Sequence, residues 1–143
     1  YNLSHFNKLG NNFINSLTWG VQYTHYQSIL ESIMSDDQDD IYVFTRPDVM
    51  FKRDMSIDEF DLEKFNVLFK HENGTSGNCD DNFWVTPNKY IEKFSKCVDH
   101  GKGNGKITHA MNHLLKDEDV PVNYVYTERQ DIKIGQDLFE VVR

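Results

Sequence analysis

The residues with the most chemical promise lie in Ile41–Phe51, which reads IYVFTRPDVMF. Arg46 and Asp48 follow directly on the β-branched and aromatic run 41–45. Pro47 between them lacks an N–H and disfavours helix at Arg46, so the chain turns out of any sheet here. A carboxylate at the C-terminal end of a buried, parallel-type strand sits where open α/β sheets bind ligands. Asp48 can hold a divalent cation such as Mg²⁺ or Mn²⁺, both of which take oxygen ligands. Arg46 can make a two-pronged contact to phosphate or carboxylate. The structural alternative is an Arg–Asp pair that merely fixes a tight turn.

Asp80 and Asp81 form the second candidate pair, between the Gly-rich stretch 72–78 and the run Phe83-Trp84-Val85. They supply a carboxylate base or they cap a turn. Adjacent strand residues face opposite ways, so only one of the two is expected to reach a cleft. His109 and His113 stand four apart on a predicted helix. No H-E-x-x-H pattern is present, and an exposed polar face is the plainer expectation. The stretch 101–106 lacks the phosphate-loop spacing and reads as a connector. Trp19, Tyr23, Tyr26 and Trp84 either stack on a ligand or build the core, to which large aromatic surfaces usually go.

These residues need elements to position them. Apolar residues at Leu17, Val21, Tyr26, Ile29, Leu30 and Ile33 predict a helix over about 16–34. An acidic connection, 35–40, follows. The run 41–45 shows no polar alternation and reads as a strand buried on both faces. Further strands are expected at 66–70, 83–85 and 120–126. Thr86-Pro87 is a helix start, with Thr as N-cap and Pro at the first position. A second helix is expected over 108–116. Helices alternating with strands predict a single α/β domain.

Composition bounds the function. The chain has 143 residues, 15 Lys+Arg, 23 Asp+Glu and a net charge of −8. No basic cluster is present, which argues against a nucleic-acid partner. No apolar run is long enough to span a bilayer. Apolar content of 38% argues against a disordered chain. Acids crowd 36–63, mostly as solvated surface. Cys79 and Cys97 form no metal-ligand pattern and suit a reducing compartment or one optional disulfide. With no signal peptide visible, a cytoplasmic site is expected.

The order of these motifs resembles a known family. A helix carrying Trp19, Gln22, Tyr23 and Tyr26 is followed by acids, an apolar strand, Arg46-Pro47-Asp48, and later DDNFWVTP. This is similar to small glycosyltransferases of the GT-A type, as in large DNA viruses and bacterial capsule or lipopolysaccharide clusters. The resemblance covers roughly residues 15–100. It implies a GT-A-like mixed sheet flanked by helices, and transfer of a sugar from a nucleotide-diphosphate sugar to a glycan or glycoprotein hydroxyl. Asp48 falls on the second acid of the family's Asp-x-Asp motif and is the implied ligand of Mn²⁺ or Mg²⁺. Arg46 falls on the first, a departure that puts metal dependence in question. Gln22, Tyr26, Arg46 and Asp48 would meet the donor, Trp84 the acceptor, and Asp81, with Asp80 beside it, would supply the base; His109 or His113 could complete the cation site, since the family often takes a late histidine as a ligand. The family opens with a nucleotide-binding strand unit that residues 1–15 do not supply. The chain starts at Tyr1, so a domain lacking its front is expected. The alternatives are a non-catalytic nucleotide-sugar or glycan-binding domain and, behind it, a metal-dependent phosphoester hydrolase.

Overall fold

The computed structural model describes residues 19–36, 41–72, 77–103 and 108–142. Six strands are assigned: β1 Ile41–Thr45, β2 Val49–Phe51, β3 Phe65–His71, β4 Phe83–Pro87, β5 Val122–Arg129 and β6 Phe139–Val141. The helices are α1 Trp19–Asp36, α2 Ile91–Gly103, α3 Met111–Asp117 and α4 Lys133–Leu138, with 3₁₀ turns at Ile57–Glu59, Asn88–Tyr90 and Thr108–Ala110. Four strands form one sheet in the order β1-β4-β3-β5, and β2 pairs with β6. The larger sheet is mixed. β4 runs antiparallel to both β1 and β3, whereas β3 and β5 are parallel. A parallel pair needs a long crossover, and α2 and α3 lie in the one between β3 and β5. The fold is therefore α/β, with a mixed sheet and helices.

The strand buried on both faces is β3, not β1. Phe65 and Val67 pack among the helices with Trp84, Phe94 and Met111. Leu68 faces a second cluster with Leu138 and Phe139. Phe69, where the register with β5 shifts, joins that second cluster. β1 is an edge strand in the described sheet, paired antiparallel to β4, and its Val43 is 37% exposed. The expectation of a doubly buried, parallel-type strand at 41–45 is corrected accordingly. Apolar composition reports burial somewhere, and here the run packs one face only.

The helical stretch opens one residue later than expected, with Pro87 as the N-cap of the 3₁₀ turn that leads into α2. Thr86 and Pro87 both stay in β4, where Thr86 pairs with Tyr42 and Pro87 with Ile41. Asn88–Tyr90 makes a 3₁₀ turn before α2 begins at Ile91. α2 also continues through Gly101, which sits under the ring of Tyr23 in α1. A Cβ at Gly101 would lie 2.6 Å from the Tyr23 ring carbon Cζ. This close approach sets the spacing of the two helices. Gly101→Ala is expected to destabilise the domain by about 1–3 kcal/mol through overpacking, measured by urea denaturation with unchanged far-ultraviolet circular dichroism.

Candidate functional site

The chain leaves β1 in a tight turn. Val49 N–H donates to the Arg46 carbonyl at 3.3 Å, and Arg46 N–H donates to the Asn82 carbonyl at 3.2 Å. The second bond ties the end of β1 to the segment that enters β4. That segment is held from two other sides: Cys79 N–H donates to the His109 carbonyl at 2.7 Å, and Asp80 N–H to the Phe69 carbonyl at 3.1 Å. Three separate stretches of chain thus converge on residues 79–82.

Their side chains form a connected polar network. Arg46 grips Asp48 with Nε–Oδ1 at 3.0 Å and Nη2–Oδ2 at 2.7 Å. Its Nη1 lies 3.4 Å from Asp81 Oδ1. Asp81 Oδ1 is also 3.6 Å from His109 Nδ1, which is 3.0 Å from Glu72 Oε2. Glu72 Oε1 accepts from Gln130 Nε2 at 3.4 Å. Gln130 Oε1 accepts from Asn82 Nδ2 at 2.9 Å, and the same amide donates to Asp80 Oδ1 at 2.5 Å. Gly135 lets the chain fold back here, because a Cβ there would fall 1.7 Å from the Gln130 carbonyl oxygen.

Burial governs the protonation of this network. Burial pushes the Asp80 carboxyl up to about 7, the Asp81 charge adds to the push, and hydrogen bonds from Asn82 oppose it. Glu72 is raised as well, first by burial, with His109 opposing and the Asp81 charge adding. Burial acts to lower Arg46, but the hydrogen bond to Asp48 and the Asp81 charge outweigh it and hold the guanidinium above its ordinary value. Tyr26 is raised by burial and by the Asp81 charge, so its phenol stays protonated.

Arg46, Asp48 and Asp81 come together in one ion cluster, and Tyr26 lies in their field. The side chain of Gln22 lies outside the described residues. Asp80 and Asp81 diverge as adjacent residues do: Asp81 joins Arg46 and His109, while Asp80 turns to Asn82 and is fully buried. Trp84 does not face an acceptor. It is 0% exposed, donates Nε1–H to the Asp80 carbonyl at 2.8 Å, and packs against Phe94 and Tyr26. Its assignment to acceptor binding is corrected to the core.

Three participants escaped the sequence reading: Glu72, Asn82 and Gln130. His109 was expected on an exposed face with His113. Thr108–Ala110 is instead a 3₁₀ turn ahead of α3, which turns His109 inward to 7% exposure while His113 bonds the Gly77 carbonyl. Cys79 and Cys97 are both free and buried, and burial pushes each thiol up to about 12. Neither is an activated nucleophile. Among the described residues, no helix is long and apolar enough to cross a membrane.

The implied cation can be tested against these donors. Both Asp48 oxygens are taken by the Arg46 fork, so Asp48 does not present itself as a metal ligand in this arrangement. The described residues that do group their ligand atoms are Glu72, Asp81 and His109, all within 4.8 Å of one another. Comparison of the chain with protein-family models, with curated proteins and with solved structures returns no match.

The buried acids set a pH dependence. A carboxyl raised to about 7 in the folded state, against 3.8 in its ordinary state, binds its proton more tightly folded than unfolded. Its stabilising contribution is complete below the unfolded value and is lost as pH rises through about 7. Asp80→Asn should therefore flatten the fall in stability between about pH 4 and pH 7. Glu72 is shifted the same way, so part of the slope remains. Urea denaturation of both proteins across that range, in the presence of a chelator, measures the difference.

Proposed function

We propose that the chain is a glycosyltransferase domain that moves a sugar from a nucleotide-diphosphate donor to a hydroxyl of a glycan or glycoprotein acceptor. One observation supports this reading: a guanidinium at the end of β1 spans two carboxylates, Asp48 and Asp81, drawn from distant parts of the chain. The Arg46 side chain is 25% exposed and that of Asp48 is 32% exposed, so an anionic ligand can reach the pair from solvent. The fork that now grips a carboxylate has the geometry to grip a diphosphate oxygen pair.

In this reading Arg46 binds the donor diphosphate and Asp48 positions its guanidinium, while Tyr26 and Gln22 are assigned to the donor by the resemblance alone. The acceptor oxygen attacks the anomeric carbon and its proton passes to Asp81. The bond from that carbon to the diphosphate breaks, and the nucleoside diphosphate leaves with the bonding pair. Arg46 then faces the charge that develops on the leaving group, where a fixed donor is most effective. Asp80 is buried behind this front and holds Asn82 and the turn, acting as a positioning residue. Mn²⁺ or Mg²⁺ would add electrostatic stabilisation of the diphosphate. A cytoplasmic site of action belongs to the same reading, and the two buried free thiols suit it.

Transfer from UDP-, GDP- and dTDP-sugars, screened with and without Mn²⁺, tests the assignment. Asp48→Ala and Arg46→Ala should each lower transfer by about 10²-fold or more. Asp48→Ala should stay folded, because a partly exposed ion pair contributes about 1 kcal/mol or less, whereas Arg46→Ala also strands the buried Asp81 carboxylate and is expected to cost about 3–5 kcal/mol, so its transfer is read on protein that circular dichroism shows to be folded. Full turnover in either variant would remove the donor site from the end of β1. Binding of a nucleotide sugar without turnover in the parent protein would favour the non-catalytic binding domain.

A further inference from the structure

We infer that Glu72, Asp81 and His109 form a binding site for one divalent transition-metal cation, adjoining the Arg46–Asp48 pair through Asp81, whose Oδ1 also lies 3.4 Å from Arg46 Nη1. The three residues come from three elements: the chain just after β3, the segment entering β4, and the 3₁₀ turn before α3. His109 Nδ1 lies 3.0 Å from Glu72 Oε2 and 3.6 Å from Asp81 Oδ1, and the three ligand atoms lie within 4.8 Å of one another. An ion bound at about 2.0–2.2 Å holds its donors about 3 Å apart at right angles and about 4.2 Å apart when opposite. The two separations from His109, 3.0 and 3.6 Å, lie within that range.

The supporting shell is already in place. Gln130 Nε2 bonds Glu72 Oε1, which leaves Oε2 as the oxygen turned to His109. The backbone of His109 is fixed by the bond from Cys79 N–H to its carbonyl. Outer partners of this kind orient ligands and limit the reorganisation that binding requires. The side chains of Asp81 and His109 are 1% and 8% exposed, and that of Glu72 is 20% exposed, so the group is shielded and opens to solvent on the Glu72 side.

The donor set selects the ion. Two carboxylates and one imidazole suit Mn²⁺ or Zn²⁺ better than Mg²⁺ or Ca²⁺, which favour all-oxygen shells. Ligation through Asp81 Oδ1 is monodentate and assigns proton acceptance, where transfer occurs, to the other oxygen. The competing occupant is a proton: a His109 imidazolium between the two carboxylates would hold the same three groups together without any metal.

The site concerns the cation alone, so its test needs no sugar donor. Metal-free protein is titrated with Mn²⁺, and free Mn²⁺ is followed by electron paramagnetic resonance. One equivalent should bind, Zn²⁺ should displace it, and Mg²⁺ in large excess should not. Glu72→Gln and His109→Gln should each weaken binding at least tenfold. Circular dichroism and thermal unfolding in chelator establish that both variants fold. Asp48→Asn should leave Mn²⁺ binding unchanged. Absence of Mn²⁺ binding by the parent protein at millimolar metal would overturn the site in favour of the protonated histidine. Loss of binding in Asp48→Asn, with binding kept in Glu72→Gln and His109→Gln, would overturn it in favour of the end of β1. Neither result bears on transfer, which is read from its own assay.

Discussion

The contact between Arg46 and Asp81 is the constraint around which the site is built. Asp81 is 2% exposed, and an ionised carboxylate so far from water is costly unless it has a counter-charge. Arg46 brings that charge from the turn after β1, and the same guanidinium holds Asp48. The backbone bond from Arg46 to the Asn82 carbonyl fixes the distance between the two segments. Pro47 shapes the turn that lets one side chain serve both acids. Placing Arg46 elsewhere would leave a buried charge beneath the start of β4, so the fold and the site share this requirement.

Behind that contact, aromatic packing makes the platform rigid. Phe94 sits among Trp84, Phe65 and Phe44, with ring centroids 5.6, 5.1 and 5.2 Å away. Trp84 joins the two regions, because its ring lies in this cluster and its N–H holds the carbonyl of Asp80. Residues 79–82 are therefore anchored by a side chain of the core as well as by their neighbours' backbones. Such anchoring keeps polar groups at fixed positions, which a binding or catalytic constellation needs.

The parts of the structure legible in the sequence are those that depend on local chemistry. Arg46, Pro47 and Asp48 announce a turn with a charge pair, and that pair forms. Asp80 and Asp81 next to an aromatic strand announce two carboxylates with opposite outlooks. The illegible parts depend on which strand lies in the middle. Ile41–Thr45 and Phe65–Phe69 have similar composition, yet only the second has neighbours on both sides. Glu72 looked like part of a Gly-rich loop, and its partner His109 is 37 residues away. Only the parallel pairing of β3 with β5 and the turn at Thr108–Ala110 bring Glu72, Gln130 and His109 together. Thr86-Pro87 announces the helical stretch to within a residue, and the pairing of both with Tyr42 and Ile41 sets where β4 gives way to it.

Charge limits what this site can bind. Asp48, Glu72, Asp80 and Asp81 bring four acidic groups into one network, against the guanidinium of Arg46 and the imidazole of His109. The chain as a whole carries −8, so long-range attraction does not draw an anion in. A diphosphate must be recruited locally, by a donor that can exchange one anion for another. Arg46 meets that condition because its partner Asp48 stands at the solvent edge. The inner acids have the opposite preference. Glu72 and Asp81 are close enough to repel each other, and the group between them is an imidazole able to carry either a proton or a metal. The network therefore divides by depth into an outer half suited to an anion and an inner half suited to a cation, with Asp81 common to both.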